Sequence, residues 1–293
     1  MTEHVVARPS VAERRPRRPG TRRSSRVGLV VLGAVLAVGA LATSFPFLWM
    51  VTSSFKPPRE AVASPPTLLP SSPSLDAYVR LFTELDFTRY LLNTLAVVAI
   101  GGVGLVFMAM AGYGFAKFRF RGRGGLFLMV LMTLMIPVQV TMIPTYLILN
   151  RLQLTNTLVG IAAPTLVSAF GIFLFRQFMA TIPDELLEAA RLDGAGEGRL
   201  FLTIVLPLSK PILAVQAVLT FIAGWNSFLW PLIIASDQDK YTLSVALSLL
   251  NQQITVNPTL QMAGASLMVV PIVAVFILFQ KHIVQGFTMS GLK

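Results

Sequence analysis

Two groups of residues in this sequence have types and spacings that could do chemistry. The first is acidic: Asp184, Glu185, Glu188 and Asp193 lie in one short polar connection between two apolar stretches. A carboxylate pair can act as general acid and base, or hold a metal when further ligands stand nearby. The flanking loop lacks those further ligands. His occurs only as His4 and His282, and Cys is absent, so thiol catalysis, thiolate metal sites and disulfides are excluded. No Gly-x-x-x-x-Gly-Lys-Ser/Thr phosphate loop, Gly-x-Ser-x-Gly or His-Glu-x-x-His occurs either. The expectation is a non-catalytic chain with no cofactor and no metal. The second group is Trp225, Asn226, Ser227 and Trp230, with Asn93 and Thr94 elsewhere. Aromatic faces beside amides and hydroxyls suit a sugar, whereas the alternative is an interfacial Trp belt and helix–helix hydrogen bonding by Asn93.

The elements that must position these groups are membrane spans. Hydrophobic residues make up 54% of the chain and charged residues 13%, about half the charged share of a soluble domain. Six apolar segments are long enough to cross a bilayer, at 27–51, 90–113, 126–147, 158–175, 212–235 and 262–279. None contains Asp, Glu, Lys, Arg or His, and the runs are continuous, which predicts helices over a barrel. Lys and Arg fall eighteen on one side and six on the other. The expectation is an all-α integral membrane protein with six transmembrane helices and both termini cytoplasmic. Residues 1–26 carry eight Arg against two Glu, and much of the net charge of +11. Such a stretch reads as a disordered cytoplasmic tail that attracts anionic lipid, not nucleic acid.

The acidic connection then falls on the cytoplasmic side. Thr181 is placed to cap a helix, Pro183 fits its first turn, and Asp184 and Glu185 suit its positive end. Leu186, Leu187, Ala190 and Gly194 give a narrow face of apolar and small residues, and Gly194, Gly196 and Gly198 end the helix. The plain reading is an interfacial helix linking two spans. The functional reading is a handle through which another protein moves the membrane part. Prolines at 137, 144, 164, 231 and 271 are expected to kink their spans. Outside, the 52–89 connection starts proline-rich and continues from Asp76 to Arg89 with helix-like apolar spacing, expected to lie flat on the surface or meet an external partner. A secondary transporter or channel acting alone for a small polar solute is the alternative. The lack of an embedded carboxylate and of an internal repeat speaks against it.

Residue identities sharpen this. Glu188-Ala189-Ala190, then Asp193-Gly194-Ala195, then after eight residues Ile204, Leu206 and Pro207, closely resemble the cytoplasmic loop signature of ABC importer permeases. The resemblance runs from Val27 to the end. Phe45-Pro46-Phe47-Leu48-Trp49, Ser54-Phe55-Lys56, Asn93-Thr94, Tyr113 to Lys117, Trp225-Asn226 with Pro231, and Gln280-Lys281 are similar to the carbohydrate-uptake, maltose MalG-like branch. The ending Thr288 to Lys293 departs from the usual tail of that branch. The resemblance implies a prokaryotic cell-membrane subunit of a binding-protein-dependent importer, favouring di- or oligosaccharides. A second permease, an ATP-binding cassette ATPase dimer and an extracytoplasmic binding protein would be its partners. It implies that the handle is a coupling helix between spans four and five, docking on the ATPase through Glu188, Ala189, Ala190, Asp193, Gly194 and Ala195. Asn93, Trp225, Asn226 and Ser227 are the candidate residues of the solute path.

Overall fold

The computed structural model describes the backbone of residues 26–253 and 257–290, and side chains over 28–249 and 257–281. The expected basic tail at 1–26 therefore lies, save for Arg26, outside the described residues. Every element is helical, and no strand occurs among the described residues. Up to Pro46 the chain forms one compact unit and from Phe47 onward another. The first consists, where described, of the start of α1 (Arg26–Ser53), whose side chains from 28 to 46 are exposed along its length. Apolar exposure of this kind is what a lipid-facing helix presents.

In the second unit, α2 (Pro58–Ala61) and α3 (Asp76–Thr83) precede the long α4 (Phe87–Lys117). There follow α5 (Arg123–Thr133), α6 (Val138–Arg151), α7 (Leu158–Ala162) with a 3₁₀ turn to Thr165, α8 (Ala169–Met179) and α9 (Asp184–Leu192). Beyond these come α10 (Glu197–Leu200), a π-helical turn (Phe201–Val205), α11 (Leu206–Leu208), α12 (Lys210–Trp225), α13 (Leu229–Ile234), α14 (Leu243–Gln253) and α15 (Pro258–Ser290).

Three helices are long and apolar enough to cross a membrane unaided: Gly28–Ser53, Phe87–Lys117 and Pro258–Lys281. The other expected spans are not single rods. The expected 126–147 span turns by 100° between α5 and α6, and the 158–175 span by 47° between Thr165 and Ala169. The 212–235 span is interrupted at Asn226–Phe228, between α12 and α13. Proline is the common cause. Pro137 stands at the start of α6, Pro164 in the 3₁₀ turn and Pro231 in the first turn of α13. Proline has no N–H to give and is best placed at the beginning of a helix, which suits it to these three breaks. Pro144 and Pro271, also expected to kink their spans, instead lie inside the continuous helices α6 and α15, as Pro46 does in α1.

The frame is α4. Its 31 residues extend about 46 Å at 1.5 Å per residue, well beyond a hydrocarbon core of about 30 Å. It can therefore link groups outside both faces of a bilayer. Against it lies α8, and small residues set the distance. A Cβ on Gly104 would come within 1.7 Å of the Leu166 carbonyl oxygen, and one on Gly112 within 2.4 Å of the Phe175 Cβ. Gly104 thus holds the break between α7 and α8 against the middle of α4. Only glycine permits this approach. At the Phe87 end of α4, the segment expected to lie flat is packed: Leu81 is fully buried with Ala77, Phe87, Trp225 and Leu260.

Candidate functional site

The acidic connection folds into α9, with Asp184 and Glu185 in the first turn as expected. Thr181 does not cap it: its hydroxyl donates to the Phe178 carbonyl of the preceding turn. Asp184 instead is held from outside, by Lys117 Nζ at 2.6 Å. The same amine donates to the Ile182 carbonyl, and the Lys117 side chain is nearly buried in doing so. The last residue of α4 therefore grips both the backbone before α9 and its first side chain. Beside it Leu187, 1% exposed, enters the apolar cluster formed by Met108, Tyr113, Phe175, Met179 and Phe201. Burying a Leu side chain contributes about 1.5–3 kcal/mol.

A second attachment follows α9. Tyr113 Oη donates to Glu197 Oε2 at 2.9 Å, and Arg191 Nε donates to Glu197 Oε1 at 2.7 Å. One carboxylate thus bonds α4, α9 and α10 together. The Lys117 hydrogen bond and charge hold the Asp184 carboxyl below the usual range, and the Arg191 hydrogen bond does the same for Glu197. Both acids are thereby kept ionised and paired at neutral pH. Between the two attachments the chain turns at Gly194, whose φ of +84° lies in the left-handed region.

What this frame leaves outward is the other side of α9. Glu188, Ala189, Asp193 and Gly194 are exposed, Ala190 and Ala195 half-buried. Leu192 is 89% exposed, an apolar side chain standing in solvent at the tip. The small and acidic residues of this face were expected from the sequence, whereas Leu192 and Glu197 were given no role and Tyr113 and Lys117 stood out only as part of a family resemblance. Leu192 could have been found as the apolar residue left over from the buried face. Lys117 and Tyr113 carry no local signal for these roles, because their partners Asp184 and Glu197 lie 67 and 84 residues away.

The residues expected on a solute path are dispersed. Asn93 is buried and donates to the carbonyls of Asp239 and Tyr241 at 2.8 and 3.0 Å, so it fastens the connection between α13 and α14 to α4. Thr94 does likewise, accepting from the Leu243 N–H at 2.8 Å. Trp225 is 1% exposed, donates to the Met268 carbonyl and stacks on Phe221. Its ring is neither a sugar platform nor part of an interfacial belt. Asn226 is exposed where α12 ends, and Ser227 opens on a groove.

The arrangement has parallels among known proteins. The profile of the family described as binding-protein-dependent transport system inner membrane component matches residues 104–289. The chain belongs to that family. It is 36% identical over 271 residues to the arabinooligosaccharides transport system permease protein AraQ of Halalkalibacterium halodurans, covering 90% of this chain and 97% of the relative. It is 35% identical to the sn-glycerol-3-phosphate transport system permease protein UgpE of Rhizobium meliloti, covering 86% and 93%. Against the lactose transport system permease protein LacG of Rhizobium radiobacter the identity is 31%, covering 88% and 94%. The fold is similar to that of a chain in the crystal structure of a bacterial ABC transporter involved in import of the acidic polysaccharide alginate. There the TM-score is 0.79 at 26% identity, over 91% of this chain and all of that one. The chain is thus a multi-pass permease subunit.

Proposed function

We propose that this permease subunit imports a carbohydrate, with di- or oligosaccharides favoured, and that α9 is its coupling helix. The relatives named for arabinooligosaccharide and lactose transport support the solute class. Its partners would be a second permease that completes the path, a pair of ATP-binding cassette ATPases and an extracytoplasmic substrate-binding protein. Residues 27–293 would make up the transmembrane domain. Both termini would be cytoplasmic, with the 1–26 tail against anionic lipid. The charge distribution supports that orientation, as does the contact of α9 with the Lys117 end of α4, where Arg119, Arg121 and Arg123 follow.

The observation that carries the reading is the division of α9 into a rooted side and a bare one. Leu187, Asp184 and, through Glu197, Arg191 tie the helix to α4, while Glu188, Leu192 and Asp193 face outward. Such a helix transmits a push. ATPases that close on ATP would grip the bare side, and the rooted side would pass the displacement to α4 and α8 as a nearly rigid body. The π-helical turn at Phe201–Val205 and the 79° bend before α12 lie directly behind, where backbone can absorb the motion. Free energy enters only through contacts that differ between the nucleotide states, so these residues set coupling and not solute affinity.

Glu188→Lys and Gly194→Pro are expected to leave the protein in the membrane while abolishing binding-protein-stimulated ATP hydrolysis and uptake. Proline, fixed near φ −65°, cannot adopt the conformation found at Gly194. Normal transport by the purified complex carrying either substitution would refute the assignment of α9.

A further inference from the structure

A groove of about 300 Å³ lies where three spans break. Gln139, Thr141 and Thr145 of α6 line it, with Thr165 from the α7–α8 break and Ser227 and Trp230 from the α12–α13 break. No charged residue is among its lining. Its volume is at the lower end for small-molecule sites, enough for one ring and not for a chain of them.

The hydrogen-bonding state of these groups decides what the groove can do. Thr141 and Thr165 donate to their own helices, to the carbonyls of Val138 and Ala162, and keep lone pairs to accept with. Trp230 spends its indole N–H on the Ile161 carbonyl, which leaves ring surface for apolar contact. Gln139, Thr145 and Ser227 have no side-chain hydrogen bond among the described residues. Pro144 and Pro231, lacking N–H groups, also have none to give to the carbonyls of Val140 and Ser227 four residues earlier. Polar groups left unpartnered at the depth of a bilayer are costly. Bonding back onto their own helices accounts for Thr141 and Thr165 but leaves the amide of Gln139 and the hydroxyls of Thr145 and Ser227 without a partner among the described residues.

We infer that this chain itself holds one neutral sugar ring of the passing solute, in the groove at the three helix breaks. The inference rests on the importer reading above. An amide that donates and accepts, hydroxyls that do both and the exposed edge of a largely buried indole match the alternating donors, acceptors and C–H groups of a sugar. A phosphorylated or carboxylated solute would find no cation there.

The test uses the complete transporter in proteoliposomes with lactose, an arabinooligosaccharide and sn-glycerol 3-phosphate as probes. Gln139→Ala and Ser227→Ala should each lower sugar carried per ATP hydrolysed, by up to about tenfold if one hydrogen bond is lost. Binding-protein-stimulated ATP hydrolysis should remain as in the unmodified transporter, which a folding defect would not allow. The chain has no Cys, so a label found on it in Ser227→Cys reports that position, and the transported sugar should slow its modification by a hydrophilic thiol reagent. Unchanged sugar per ATP, together with labelling indifferent to sugar, would overturn the groove alone. Transport of sn-glycerol 3-phosphate but of neither sugar would overturn its neutral character. Absence of stimulated hydrolysis in the unmodified complex would defeat the importer reading and this inference with it.

Discussion

The two polar places on this chain, α9 and the groove at the helix breaks, differ first in charge. At α9 the acids Asp184 and Glu197 are paired with Lys117 and Arg191, and further acids are left bare. In the groove every polar group is neutral. They differ next in how they are held. The root of α9 is fixed by ion pairs and a buried Leu187, as a part that transmits force must be. The groove is assembled from ends of interrupted helices, where backbone can shift with little loss. The difference teaches where, on the proposed reading, energy and solute would enter this permease subunit. On that reading, charge gathers where a protein partner would be gripped in one register, and neutral hydrogen-bonding groups gather where a solute would be released again.

That contrast makes substitutions separable. The largest expected effect is at the bare side of α9. Leu192→Asp replaces an apolar knob by a charge, and association with the ATPase should weaken by about 3 kcal/mol, roughly a hundredfold. Co-purification of the ATPase with this chain measures it, and undiminished co-purification would remove Leu192 from the contact. A smaller effect is expected at the root. Lys117→Met leaves docking intact but loosens α9 from α4, so ATP hydrolysis should continue while solute carried per ATP falls severalfold. A fall in hydrolysis and uptake by the same factor would mean that Lys117 serves docking instead. The smallest effect is that of pH. Asp184 and Glu197 are shifted below their ordinary values, so their pairs stabilise the root fully only above about pH 5 and lose that contribution progressively as pH falls through the ordinary and then the lowered values. Solute carried per ATP should therefore be flat between about pH 6 and 8. A step in that window would assign the root to other groups.

Much of this frame was legible in the residues, because lipid demands long apolar helices. The glycines were legible too. Gly101 and Gly104 pack as a helix–helix contact, and Gly122, with φ of +82°, makes the tight turn expected of it. Of the five prolines expected to kink a span, those at 137, 164 and 231 stand at breaks while Pro144 and Pro271 lie inside continuous helices. Composition could not give the angles, which depend on what packs in the gap. Long-range pairing was illegible. Asn93 resembled a solute ligand by type, but its partners are backbone carbonyls 146 and 148 residues away. Trp225 resembled a platform until its burial beneath α15 was seen. A polar or aromatic residue in a span is ambiguous until the neighbouring helix is in place.

The central claim is that the bare side of α9 is seated in an ATPase. Its most direct measurement is thiol cross-linking from Glu188→Cys in the assembled transporter, a position that the root does not use. The account predicts a cross-linked product with the ATPase subunit, whose yield changes when ATP closes the ATPases. Modification of that cysteine by water-soluble reagent at the same rate with and without ATPase bound, and no cross-link, would contradict it.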